Sequence, residues 1–374
     1  MNRSWTCAII IAAISAFALK VYWAYTTQGS PDISLWIDFL SRIRACGTCV
    51  YQTGGVMIEP QGPRVNPFNH PPFIMHYLLL LGLISDLAHL PFRFLFRLFT
   101  SVFDLGTLIV VYQLLRRLGL FTPPAYLLYV LAPATLIVSG YHGNTDPIMI
   151  FFLLLAILLL VSERPVWLAA ISFGMALNFK VVPIIFGPAF FFYLSDFKKR
   201  AYFVSIVGLV FIGGSLPYIT MDPLLIFRQV FGYTSFPGRW GWTLALYAAT
   251  HGEGIYSQVV RVGTYILLAL LTYRSYLMNR KSKPSLYLQV GSLAFLFMSF
   301  TTGWGTHYMA WLDPFAIGVG LMPGLLYYSA SGAMLIRIYF VREHEPTRLI
   351  GICWIAVLIV TSIYLRRTRP NRNL

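Results

Sequence analysis

Charge is what this chain has least of. Asp, Glu, Lys and Arg make up 11% of its 374 residues, against roughly a quarter in a soluble domain. No polar block is long enough to fold as a separate water-soluble unit, which leaves a single domain, residues 1–374, built in a membrane. Acids are scarcer than bases, 13 against 28, giving a formal net charge of +15. In a soluble protein that excess would point to nucleic acid. Here the basic residues fall in short clusters between apolar runs, the pattern of topology determinants, and no nucleic-acid partner is expected. Low-complexity tracts and strong internal repeats are lacking, so nothing argues for an inverted-repeat transporter. Cysteines number four. Cys7 and Cys353 lie in apolar runs, while Cys46 and Cys49 form Cys-Gly-Thr-Cys in a polar loop. A zinc pair there would need two further ligands that are not evident, whereas a local disulfide fits if the loop faces an oxidising compartment.

What is present is apolar length, 57% of residues. The run Trp5–Tyr25 is long for a signal peptide and is read as a first transmembrane helix that starts in the cytoplasm. Basic clusters at Arg116-Arg117, Arg164, Lys198–Arg200, Arg280–Lys283 and Arg366–Arg369 should all lie inside. Parity then forbids both Phe73–Leu90 and Leu95–Leu115 from crossing, and the first is the better surface or partly inserted helix. The resulting expectation is an all-α polytopic membrane protein with a large outer loop, 26–94, carrying two juxtamembrane helices, and a second outer loop, 220–243. Spans are expected near Leu95–Arg116, Pro123–Gly140, Asn144–Ser162, Val166–Phe179, Val181–Leu194, Ala201–Tyr218, Ile255–Met278, Pro284–Phe300, His307–Met322, Leu325–Val341 and Thr347–Leu365, about twelve in all. Leu244–Gly254 has no assignment and is a candidate re-entrant segment.

Within this frame the chemistry-bearing residues gather on the outer side. Ser30-Pro31-Asp32 has the form of a helix start, with Ser30 as N-cap, Pro31 at the first position and Asp32 in the first turn, where free N–H groups favour an ionised carboxylate. Asp32 is therefore either a plain helix-start acid or a base at the membrane surface. Asp38 follows six residues later, about 240° away around the same helix, so the two cannot both address one reacting atom. His70, His142, Asn144, Asp146, Arg228, Arg239, His307 and Tyr308 belong to the same side. Lys180 sits in Asn178-Phe179-Lys180-Val181-Val182-Pro183, a break between two short spans. Each has a plainer reading: Asp146 as a helix cap, Lys180 as a snorkelling lysine, His307-Tyr308 as an aromatic-belt pair, His70 as a helix starter. Their shared side is the argument for a site, since Lys and Arg bind an anionic head group while a carboxylate takes a proton.

The order of these features resembles the GT-C superfamily of membrane glycosyltransferases that use polyprenyl-phosphate sugars. The nearest patterns are the bacterial polyprenol-phosphate-mannose-type mannosyltransferases and the catalytic subunit of glycosylphosphatidylinositol mannosyltransferase I. The resemblance rests on Asp32, Trp36 and Asp38; on Asn69-His70-Pro71-Pro72-Phe73; on Gly143-Asn144-Thr145-Asp146; on Lys180 to Pro183; and on His307-Tyr308. His70 and Trp36 depart from the usual aromatic and Tyr or Phe. It implies a GT-C-type bundle and an inverting transfer of a hexose, mannose by pattern, from a polyprenyl-phosphate donor to a hydroxyl of a glycan, glycolipid or protein. Asp32 would be the base. Asp38, His70, Asn144, Asp146, Lys180, Arg239, His307 and Tyr308 would bind substrate, with Lys180 and Arg239 or Arg228 meeting the phosphate. Because the leaving group is one lipid phosphate, no cofactor or obligatory metal is expected, though a divalent metal is not excluded. The implied setting is a bacterial plasma membrane with an outward site, or the endoplasmic reticulum in a eukaryote. A rival reading, a transporter or flippase for a lipid-linked or small anionic substrate, would place some of these charges at mid-bilayer depth. A non-catalytic partner of a membrane complex is a third.

Overall fold

The computed structural model describes residues 3–59, 62–232, 235, 238–252, 255–341 and 347–369. The chain runs through helices α1 (Arg3–Thr26), α2 (Pro31–Cys46), the single turn α3 (Val50–Thr53), a hairpin of β1 (Gly55–Glu59) and β2 (Gly62–Asn66), α4 (Phe73–Ala88), α5 (Phe92–Arg117), α6 (Pro123–Val130), α7 (Pro133–Ile137), α8 (Asp146–Val161), α9 (Val166–Phe179), α10 (Gly187–Tyr193), α11 (Phe197–Ser215), α12 (Pro223–Phe231), α13 (Gly241–Thr250), α14 (Ile255–Leu277), α15 (Leu286–Phe300), α16 (Met309–Ala316), α17 (Leu321–Ile336) and α18 (Thr347–Arg367).

Among these, Arg3–Thr26, Phe92–Arg117, Pro123–His142, Leu321–Val341 and Thr347–Arg367 are long and apolar enough to cross a membrane unaided. Others, such as α8 and α9, have 16 and 14 residues. At 1.5 Å per residue they reach about 21–24 Å, short of a hydrocarbon core of about 30 Å. The expected twelve crossings count such short helices as spans. α8 is apolar on every side and sits against α5 and α9, which is the behaviour of a helix enclosed by its neighbours.

Direction along the bundle follows from α5. Arg97, near its start, is fully buried and donates to the carbonyls of Ala24 and Thr27 at 2.8 and 2.6 Å, locking the end of α1 to α5. Arg116 and Arg117 lie about 28 Å further along the helix axis, where they share a cleft with Arg164. These two basic clusters thus lie at the end of α5 away from Arg97 and the start of α2.

The first outer loop differs from expectation in one respect. Its two helices form, as α2 and α4, but between them lies an antiparallel hairpin pairing Gly55 with Asn66 and Met57 with Arg64. It is held on α2 by side chains one turn apart: Asp38 accepts from the Val56 amide at 2.8 Å and Ser34 from the Ile58 amide at 3.0 Å. Cys46 and Cys49 are joined as a disulfide beside it. The second outer loop likewise contains a helix, α12, capped by the Asp222 side chain, and the unassigned segment begins within α13.

Candidate active site

α2 starts as its sequence implies. Ser30 is the N-cap and accepts from the Asp32 amide at 3.2 Å, with Pro31 in the first turn. The hydroxyl of Ser30 also donates to the His142 carbonyl at 2.8 Å, and the Trp36 indole donates to the Gly143 carbonyl at 3.2 Å. Asn144 completes the junction, its amide donating to Asp32 Oδ2 at 3.3 Å. Residues 138–142 form a single π-helical turn ending at Gly143, whose φ is +76°. A Cβ there would meet Ile33 Cδ1 at 2.3 Å. Glycine is needed both for the left-handed backbone and for the close approach of α2; π-helical turns recur at functional sites.

From Asp32 a line of polar contacts crosses to Lys180. His142 Nε2 is 3.1 Å from Asp32 Oδ2; the His142 and His307 rings stack with centroids 5.2 Å apart; His307 Nε2 is 3.6 Å from Asp146 Oδ2; and Lys180 Nζ donates to Asp146 Oδ1 at 2.6 Å. Lys180 lies at the end of α9 in an extended conformation, where the helix breaks before Pro183. Its ammonium also stands 5.1 Å from the Tyr308 ring and 5.3 Å from Trp311, close enough for cation–π attraction. Asp146 occupies the first turn of α8 but is wholly buried, with one oxygen on Lys180 and the other without a hydrogen bond.

These groups border a cavity of about 380 Å³ lined by Asp32, His70, His142, Asn144, Lys180, Arg239, His307 and Tyr308 on its polar part and by Val181, Val182, Leu267, Leu268 and Phe297 on its apolar part. Leu268, on α14, is 38% exposed, so the apolar part reaches the outer face of the bundle. Trp304, stacked on Trp240 at 5.1 Å, forms another wall.

Electrostatics separate the members. The Asp32 carboxyl lies well below the usual carboxylate range: burial alone would raise it, but the nearness and charge of His142, the charge of His307 and the Asn144 amide outweigh burial. Asp32 is therefore an anion, and a weak base, at any physiological pH. His70 goes the other way in charge. Burial first, then the positive charge of Lys180, push its imidazole down to about 3, so it faces the cavity neutral, packed on the Trp36 ring at 4.7 Å.

The structure thus brings Asp32, His70, Asn144, Lys180, Arg239, His307 and Tyr308 to one cavity, with Asp146 directly behind Lys180. Asp38 is not brought there. It is paired with Arg42 at 2.6 Å and with the hairpin amide of Val56, because its position around α2 turns it from Asp32. Arg228 does not line the cavity either. His142 is more central than its place in a short polar loop suggested, and Trp304, one of nine tryptophans, carries no sequence signal of its own. The interior also holds charges that the outer-face reading omits: Lys20 pairs with Asp104, and Asp313 accepts from the Thr135 amide at 2.8 Å, all of them buried.

Helix content, enclosed short helices and a polar cavity at one end of the bundle define a polytopic all-α membrane protein. Comparison with known proteins agrees. ArnT from Cupriavidus metallidurans, solved with undecaprenyl phosphate bound, superposes with a TM-score of 0.53 at 12% identity, over 98% of this chain and 77% of that one. Residues 138–236 match the family described as mannosyltransferase (PIG-M). GPI mannosyltransferase 1 of Schizosaccharomyces pombe is 34% identical over 106 residues, 26% of this chain, and that of Candida albicans is 26% identical over 143 residues, 36% of this chain. The matched segments span 28% and 35% of those relatives. The family match begins at the π-helical turn and takes in His142, Asn144, Asp146 and Lys180, the half of the polar line opposite α2.

Proposed function

We propose that this protein is an inverting membrane mannosyltransferase that moves a mannosyl residue from a polyprenyl-phosphate donor to a hydroxyl of a glycan or glycolipid acceptor. The observation that carries the proposal is the amphiphilic cavity, with a carboxylate on one wall, an ammonium on another and an apolar part open toward the bundle's outer face. A lipid-linked phosphate sugar has the matching shape: an apolar chain, an anionic link and a polar sugar. The PIG-M family match and the GPI mannosyltransferase 1 relatives support mannose as the sugar, and the ArnT-like fold is consistent with a lipid-phosphate ligand.

In this reading the acceptor hydroxyl lies against Asp32 and attacks the anomeric carbon from the face opposite the phosphate. The new glycosidic bond forms as the bond from the anomeric carbon to the phosphate oxygen breaks, and the hydroxyl proton passes to Asp32. The donor phosphodiester carries one negative charge and the released lipid phosphate up to two. Lys180 and Arg239 meet the added charge, which is stabilisation confined largely to the transition state and product. A weakly basic Asp32 suits the step. A glycosyl transition state has oxocarbenium character, so the attacking hydroxyl acidifies as the bond forms and gives up its proton late. His70 and Tyr308 would contact the sugar. The site would face the periplasm of a bacterium or the lumen of the endoplasmic reticulum.

The test is to incubate purified protein in nanodiscs with radiolabelled polyprenyl-phosphate mannose, its glucose counterpart and a panel of glycan and glycolipid acceptors. Label should pass from the mannose donor to an acceptor. Movement of intact donor across a liposome bilayer without transfer would favour a flippase instead.

A further inference from the structure

We infer that Asp32, His142 and His307 form a binding site for a divalent cation of the zinc type at the polar end of the cavity. The three come from separate elements, the first turn of α2, the end of the π-helical turn and the short turn before α16. Yet each offers a ligand atom within 4.8 Å of the others. Bonds of about 2.0–2.2 Å in tetrahedral geometry put ligand atoms roughly 3.3 Å apart. His142 Nε2 and Asp32 Oδ2, at 3.1 Å, already have that spacing, and the partly exposed His307 offers its atom within 4.8 Å of both.

An independent observation concerns His142. Its side chain is 5% exposed, and its Nε2, 3.1 Å from Asp32 Oδ2, has no other polar partner among the described residues. The other ring nitrogen, Nδ1, lies 3.0 Å from the Tyr339 hydroxyl, which in turn shares a hydrogen bond of 2.6 Å with Thr306. With Nδ1 held by Tyr339, Nε2 is the ring atom turned to the carboxylate, a position that either a proton or a metal ion fills. A buried imidazole oriented through its far nitrogen, with its near nitrogen aimed at a carboxylate, is the outer-shell arrangement of metal-bound histidines. Two imidazoles and one carboxylate suit zinc, cobalt or manganese better than magnesium or calcium. Asp146, beside His307, adds negative charge, and Lys180, on the far side of Asp146, limits how much.

Three protein ligands leave a coordination position open. On the proposed function, an oxygen of the donor phosphate would take it, while Asp32 Oδ1, the oxygen not engaged by Asn144 or His142, stays available to the acceptor proton.

Binding is testable without donor or acceptor. Protein freed of its affinity tag and stripped with chelator should retain about one Zn²⁺ or Co²⁺ per chain after dialysis and gel filtration, the Co²⁺ form with visible ligand-field absorption. His307→Gln and His142→Asn should each weaken binding at least tenfold. Tyr339→Phe, which touches no ion, should weaken it by roughly tenfold by freeing the His142 ring; this variant and His307→Gln keep the test decisive if His142→Asn folds poorly. Wild-type protein that retains no ion, or His307→Gln and Tyr339→Phe variants that bind as wild type does, would overturn the site. A protein that retains no ion after reloading and dialysis yet still transfers mannose would overturn the site and leave the proposed reaction standing. One that binds the ion but transfers no sugar would do the reverse.

Discussion

Two sets of acids share a chemistry and differ in what they face. In the bundle interior Asp104 pairs with Lys20, and Asp313 takes the amide and hydroxyl of Thr135. At the outer end Asp32 and Asp146 are held by Asn144 and Lys180. Asp313 and Asp146 even share the feature of one oxygen without a partner. Burial, charge and an unmet valence therefore do not by themselves mark a site. Space does: Asp32 and Lys180 border a cavity that reaches the outer face of the bundle, and Asp104 and Asp313 are not among the residues lining it.

Substitutions should split the two sets. Asp32→Asn keeps shape and removes the proton acceptor, so mannosyl transfer should fall on the order of a hundredfold or more while the melting temperature in detergent barely moves. Lys20→Met should do the opposite. It leaves Asp104 alone in an apolar interior, a loss of about 3–5 kcal/mol, seen as early melting on fluorescence-detected size exclusion, with turnover per folded molecule close to wild type. A stable but inactive Lys20→Met protein would move the chemistry into the interior.

Lys180 belongs to both descriptions, since it faces the cavity and neutralises a buried acid. Lys180→Met should lower donor use and also destabilise, by stranding Asp146. Adding Asp146→Asn should restore the melting temperature and leave donor use impaired; recovery of both would make Lys180 an anchor only. A smaller effect is expected from Gly143→Ala, which strains the backbone and presses Ile33 away. Transfer should drop roughly tenfold as Asp32 shifts, and Ile33→Val, which removes the colliding Cδ1, should recover part of it. An unchanged Gly143→Ala enzyme would show that the junction of α2 with residues 142–144 does not set catalytic geometry.

The smallest effect concerns pH. His70 titrates at about 3 in the fold and near 6.5 when unfolded, with Lys180, Asp146 and Asp32 as its charged surroundings. Between those values the unfolded chain binds the extra proton, so stability rises with pH across the window and falls on acidification. His70→Gln should therefore melt with a shallower decline between pH 7 and pH 5 than wild type. Parallel curves would place the neutral imidazole elsewhere in the balance.

Much of this was legible before any coordinates. Ser30, Pro31 and Asp32 state a helix start in three residues, and α9 ends at Phe179 because Lys180-Val181-Val182-Pro183 cannot continue it. The 240° between Asp32 and Asp38 already said that one of them would leave the site, though not which partners it would take; those are Arg42 and a hairpin amide. The hairpin itself was hidden by strands of five residues containing Gly62 and Pro63, too short and too interrupted for a period of two to register. Long-range pairing hid the rest. Lys20 and Asp104 stand 84 residues apart in sequence, and His142 gains its weight from Asp32, His307 and Tyr339, none of which is near it in the chain.

The most direct measurement is the linkage of the product. Polyprenyl-phosphate mannose of defined anomeric configuration should be given to wild-type, Asp32→Asn and Asp38→Asn proteins with an acceptor on which transfer is seen, and the product's anomeric centre read by NMR. A single carboxylate base facing one cavity predicts inversion, abolished by Asp32→Asn and mildly reduced by Asp38→Asn. Retention of configuration, or a fully active Asp32→Asn protein, would contradict it.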